Sequence, residues 1–199
     1  MSIQQIQGTI KGISPLLMNN PQTVDRFNPY SRAMAKINAK KTKRTDDDYL
    51  ELQNLEVRAK VYFDDALGVY VPSTWLSAAV AANSFRTVKT SKADIRAAVF
   101  TTEPRLKLTY RGMGKVKEAE DVVGNPEFRT KLTLKQGQVR VVKAAPIFHD
   151  WSFEFGLEFD DKIIDPDSLK YVIEYSAKYG GFGDFRPTYG RATAEVNHV

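Results

Sequence analysis

"WSFEFGLEF" (Trp151–Phe159) and "DPDSLKYVIEYSAKYGG" (residues 165–181) decide how this chain is read. In the first, Trp151, Phe153, Phe155, Leu157 and Phe159 alternate with Ser152, Glu154, Gly156 and Glu158. That is the period of a strand with one buried face. In the second, Asp165 stands as an N-cap, Pro166 takes the first helical position and Gly180–Gly181 ends the run, so a helix is expected. "TYGRATAEVNHV" (residues 188–199) then closes the chain as a strand.

Working outward, "IQQIQGTIKGI" (Ile3–Ile13) reads as a first strand with Ile6, Gly8, Ile10 and Gly12 on one face. The following thirty or so residues, rich in Pro, Asn and Ser, are expected to be an irregular loop, too long for a plain connection and therefore functional or disordered. Thr45 caps a helix that runs to about Phe63, with Asp46, Asp47 and Asp48 on its first turn, where helix amides favour negative charge. "GVYVP" (Gly68–Pro72) is a short strand, Ser73 caps a second helix and "SKADIRAA" (residues 91–98) is a third. "RLKLTY" (Arg105–Tyr110) and "KLTLKQGQVRVV" (Lys131–Val142) alternate, the latter as a hairpin around its Gln-Gly turn.

Without extras, this order is βαββαβ. The expected fold class is α+β: a ferredoxin-like antiparallel sheet with helices on one face. The chain reads as a single domain, 1–199, with a basic loop and helix insertion at 15–64 and a loop and β-hairpin insertion at 111–146.

Charge distribution points to the ligand. Residues 1–45 hold eight cations (Lys11, Arg26, Arg32, Lys36, Lys40, Lys41, Lys43 and Arg44) against one anion, Asp25, a balance of +7. The remaining 21 cations and 23 anions leave −2. Such asymmetry suits an anionic polymer. Phe27 and Tyr30 lie beside the basic run, and aromatic stacking next to a cationic groove is a sequence-tolerant way to hold a single strand.

With no cysteine and two histidines, thiolate and histidine-rich metal sites are excluded, and neither a metal nor a cofactor is expected. No apolar run is long enough for a membrane span and no secretory leader is visible, so a cytoplasmic location without membrane partners is expected. No G-x-S-x-G nucleophile elbow occurs. Mg²⁺-dependent cleavage by Asp25 or Asp46–Asp48 stands as the enzymatic alternative, against the simpler helix-capping role of those carboxylates.

The segment after the last helix, "GGFGDFRPTYGRATAEV", places Gly180, Gly181, Gly183 and Gly190 beside Arg186 and Arg191. Exposed amides there could line an anion-binding concavity. Phe182, Phe185 and Tyr189 suit base stacking, with one or two of them expected to close the core instead. "GFGDFRPTYGRATAEV" resembles the C-terminal glycine-rich loop and final strand of the RAMP superfamily, the ferredoxin-like RNA-binding proteins of CRISPR effector complexes. "IKGISPLLMNN" (Ile10–Asn20) resembles that superfamily's first strand and the loop leaving it. The whole chain also resembles a family of small phage-encoded proteins that bind single-stranded DNA. The resemblance implies backbone contacts from Gly181, Phe182, Gly183, Arg186, Gly190 and Arg191, with Asn19, Asn20 and the basic insertion. RAMP nucleases that process guide RNA commonly use a histidine, and neither His149 nor His198 lies in an equivalent place.

The expected function is therefore a non-enzymatic, largely sequence-independent single-stranded DNA-binding protein of replication or transcription, virus-encoded in a bacterial host. It would self-associate and serve a polymerase or similar partner. Lys36, Lys40, Lys41, Lys43, Arg44, Arg26, Arg32, Arg186 and Arg191 would meet phosphates, while Phe27, Tyr30 or Phe182 would stack on bases. The first alternative is an RNA-binding subunit of a RAMP-type RNA-guided complex.

Overall fold

A computed structural model of the protein describes residues 3–198. In chain order the elements are β1 (Ile3–Gly12), β2 (Leu16–Leu17), α1 (Pro29–Asn38), α2 (Asp46–Lys60), β3 (Phe63–Asp64), β4 (Gly68–Pro72), α3 (Thr74–Val88) and α4 (Lys92–Ala98). There follow β5 (Val99–Thr101), β6 (Arg105–Lys107), α5 (Ala119–Gly124), β7 (Arg129–Gln136), β8 (Val139–Phe148), β9 (Ser152–Asp160), α6 (Pro166–Tyr175) and β10 (Ala192–His198). They form two compact units. The first takes the chain up to Leu16, Val69–Met113 and everything from Phe148; the second takes Leu17–Gly68 and Gly114–Ile147.

The first unit is built on an antiparallel sheet ordered β10-β1-β9-β5. Numbered along the sheet's own strands this is 4-1-3-2, with α3 and α4 between the first two strands and α6 between the last two: the ferredoxin-like α+β arrangement expected. Trp151, Phe153, Phe155, Leu157 and Phe159 are all buried, together with Ile6 and Ile10 of β1 and Leu76, Val80, Leu169, Val172 and Ile173 of the helices. At roughly 1.5–3 kcal/mol for each large apolar side chain removed from water, this face dominates the unit's stability. Asp165 accepts from the Ser168 amide at 2.9 Å and Pro166 follows it, so α6 starts where its caps dictate.

Two local features were not visible in the sequence pattern. The sheet's second strand is β5, whose Val99 faces Phe159, whereas Arg105–Lys107 of "RLKLTY" pairs with β4. Three residues are too few to show a period of two. The stretch after Ile13 is also less irregular than expected. Asn28 accepts from the Tyr30 amide at 2.9 Å and Pro29 sits at the first helical position, so α1 fills its middle. The Asn-Pro pair that looks like a breaker is a cap followed by its preferred successor.

In the second unit, α2 begins at a capping box: Asp48 donates its amide to the Thr45 hydroxyl and accepts the Thr45 amide. β7 and β8 form the expected hairpin, with Gln136 opposite Val139. Glu56 of α2 is buried, and its carboxylate accepts from the Ala144 amide and the Lys143 ammonium, both at 2.7 Å, so the charge is compensated. The stretches read as insertions, 15–64 and 111–146, supply nearly all of this unit.

Candidate nucleic-acid interface

The candidate residues fall into two groups, one in each unit. In the first unit, α6 ends in a π turn, Ser176–Gly180, closed by the Gly181 amide on the Ser176 carbonyl at 2.9 Å. Phe182 then donates to the Gly190 carbonyl at 2.8 Å, and Gly190 donates to the Pro15 carbonyl at 2.8 Å. Ile13 reaches the Arg191 carbonyl at 2.8 Å, and the Arg191 amide meets the Ser14 hydroxyl at 2.9 Å. The glycine-rich loop and the segment leaving β1 are thus laced together.

The lacing corrects the role of the glycines. The amides of Gly181, Phe182 and Gly190 are spent inside the protein, and Gly181 and Gly190 are buried. Both have positive φ, +73° and +75°, and a Cβ on Gly190 would meet the Phe182 carbonyl oxygen at 1.8 Å. Gly180 lies in the π turn and Gly183 is half-buried. These glycines shape the loop more than they offer it to an anion.

Phe182 is corrected as well. It is fully buried, edge-on to Phe153 at 5.5 Å and to Trp151 at 6.3 Å, and cannot stack on a base. The exposed aromatic of this loop is Phe185, held at φ +54° by its carbonyl's bond from the Tyr189 amide and its amide's bond to Asp184. A bulky residue in that region of backbone space is uncommon. Arg186 and Arg191 are exposed, and among the described residues neither guanidinium meets a carboxylate.

In the second unit, Phe27 is 58% exposed and two guanidiniums lie over its ring, Arg26 at 4.7 Å and Arg32 at 5.3 Å from the centroid. Asp25 accepts from the Phe27 amide at 2.8 Å and fixes the turn that presents the ring. Lys36, Lys41 and Lys43 are exposed without a carboxylate partner among the described residues. Two other expected contacts are structural. Lys40 is paired with Asp48, and that ammonium, followed by the Thr45 amide, holds the Asp48 carboxyl below its ordinary range. Arg44 donates to the Lys41 carbonyl at 2.9 Å and to Asn38 at 3.2 Å, and lies over Tyr49. Tyr30 is half-buried beneath Arg58 at 5.5 Å, which in turn bridges Glu120. Asn20 accepts from the Gln22 amide, and Asn19 is exposed.

Of the acids of the nuclease alternative, Asp25 is committed to a turn and Asp48 to a cap, and Asp46 and Asp47 lie with Asp48 on the first turn of α2. Among the described residues no three acidic or imidazole groups gather as a metal site, and no helix is long and apolar enough to cross a membrane.

No protein-family model matches the chain, and no curated protein matches it. A solved structure does, the type III-B Cmr-beta bound to cognate target RNA determined by cryo-EM, with a TM-score of 0.55 and 11% identity. The chain shares the fold of that protein. The alignment covers 99% of this chain and 61% of that one, so the chain spans about three-fifths of its neighbour's length.

Proposed function

We propose that the chain is a single-strand RNA-binding subunit of a multi-protein, RAMP-type assembly. The observation that carries this is the exposed Phe27 ring with the Arg26 and Arg32 guanidiniums over it, in the same segment as Lys36, Lys41 and Lys43, which are exposed and meet no carboxylate among the described residues. Stacking on an exposed ring with phosphates on nearby cations holds a strand without reading its sequence. Arg186, Arg191 and Phe185 offer a second set of the same composition. The fold shared with a protein of an RNA-bound complex favours RNA over DNA, reversing the order drawn from the sequence. The narrower expectations of a phage protein, a polymerase partner and a role in replication or transcription gain no support from that likeness and are not carried into the proposal.

The polar face of the sheet is a poor site for phosphate. Glu154, Glu158 and Glu195 lie on it against Lys11, which already bridges Glu195 at 2.7 Å. Binding is therefore assigned to the loops and α1.

The test is fluorescence anisotropy with labelled single-stranded RNA, single-stranded DNA and duplex DNA at two salt concentrations, with and without Mg²⁺. Salt-sensitive binding with RNA tightest, and intact probe in Mg²⁺, is expected. Equal or tighter binding of DNA would return the DNA reading, and binding of none of the three would remove the function.

A further inference from the structure

The polar face of the four-stranded sheet has a feature that RNA binding does not use. Glu154 and Glu158 project from the same side of β9, four residues apart. Glu195 of β10 and Glu154 both oppose Thr9, one from each side. Phe100 of β5, 55% exposed, lies opposite Glu158. Lys11 bridges Glu195 and the Gln5 side-chain amide donates to Glu158 at 2.9 Å, but neither Glu154 nor Glu158 meets a cation among the described residues.

The β7–β8 hairpin presents the opposite pattern. Lys131 and Lys135 lie four residues apart on one face of β7, Arg140 is directly opposite Lys135, and all three are exposed with no carboxylate partner among the described residues. On the same face Val142, 55% exposed, lies opposite Thr133. The spacing of the two cations on β7 equals that of the two glutamates on β9, about 13 Å for strands rising near 3.3 Å per residue. An exposed apolar side chain accompanies each set.

We propose that the polar sheet face of one copy binds the basic face of the β7–β8 hairpin of a second copy. Lys131 and Lys135 lie over Glu154 and Glu158, with Val142 against Phe100. A second copy fits this hairpin better than a nucleic acid does, because the face carries threonine and valine between its cations and no aromatic ring on which a base could stack. It also supplies a basic partner for Glu154 and Glu158, which meet no cation among the described residues.

The test is sedimentation velocity on nuclease-treated protein, free of nucleic acid, over a range of concentrations. Wild type should self-associate. A sheet variant (Glu154→Lys with Glu158→Lys) and a hairpin variant (Lys131→Glu, Lys135→Glu and Arg140→Glu) should each associate about tenfold more weakly or worse. Their equimolar mixture should associate again, since the reversed sheet of one meets the reversed hairpin of the other. Circular dichroism identifies any variant that fails to fold, and the double-neutral pair Glu154→Gln with Glu158→Gln then takes its place. A wild type monomeric at every concentration, a folded variant that associates like wild type, or a mixture of two folded monomers that stays monomeric would each overturn the proposal. So would a hairpin variant whose only defect is RNA affinity.

Discussion

Gly190 donates its amide to the carbonyl of Pro15 at 2.8 Å, so the loop before the last strand is anchored on the loop after the first. The loop that carries Arg186 is held at both ends, since Phe182 donates to the Gly190 carbonyl and the Arg191 amide to the Ser14 hydroxyl.

Gly190→Ala should therefore be costly. It combines a positive φ with a backbone clash, and a loss of roughly 3 kcal/mol is expected from left-handed strain and overpacking together. Gly137→Ala, also at positive φ but with open space around it, should lose only about 1 kcal/mol. Urea unfolding midpoints of the two variants check this; equal losses would mean that the lacing carries little.

Phe27→Ala and Phe182→Ala should separate binding from stability. The former removes an exposed ring and should weaken RNA binding by about 1–3 kcal/mol with little change in unfolding. The latter empties a buried site beside Trp151 and Phe153 and should cost about 3–5 kcal/mol of stability. Parallel anisotropy and urea titrations measure both, and a stability loss at Phe27 would move that residue into the fold.

Reversing Lys36, Lys41 and Lys43 to Glu should weaken binding to every sequence alike and lower the slope of log affinity against log salt by about 2. Lys40→Gln should behave differently, loosening the start of α2 through loss of its pair with Asp48. Anisotropy at four salt concentrations with unrelated sequences distinguishes the two, and a normal salt slope in the triple variant would clear these lysines of phosphate contact.

Asp48 gives a pH dependence with a definite sign. Its folded carboxyl titrates below the ordinary range because of Lys40 first and the Thr45 amide next. A group lowered on folding adds stability above its unfolded value and loses it as pH falls through the folded one. Wild type should thus exceed Asp48→Asn in melting temperature at neutral pH, and the gap should close as the pH drops below about 4. A gap that persists in acid would mean that the pair and cap contribute nothing through charge.

Tyr110 runs the other way at high pH. Burial pushes its phenol up to about 12, so the unfolded chain ionises first and stability is lost as pH rises past the ordinary tyrosine value toward that figure. Tyr110→Phe should remove that part of the alkaline loss in thermal melts.

The sheet was legible because long alternating runs such as Trp151–Phe159 state both their type and their buried face. β5 was not, since Val99–Thr101 is defined by its pairing with β9 and by nothing local. At the site, the charge excess located the basic segment. It could not separate Lys40 and Arg44, which brace α2 and α1, from Lys36, Lys41 and Lys43, because the difference lies in which partner each side chain reaches. Phe182 and Phe185 differ by three positions in one glycine-rich run, and only the packing of Trp151 says which ring is taken inside.

The register of β1 carries a consequence for how the chain is made. Both of its neighbours, β9 and β10, come from the far end of the sequence, with Thr9 opposite Glu154 on one side and Glu195 on the other. At about 5–20 residues per second, β1, once made, waits on the order of ten seconds for either partner. During that interval Ile6 and Ile10 have no sheet to enter. The closing of this sheet is therefore tied to the pace at which the chain is made.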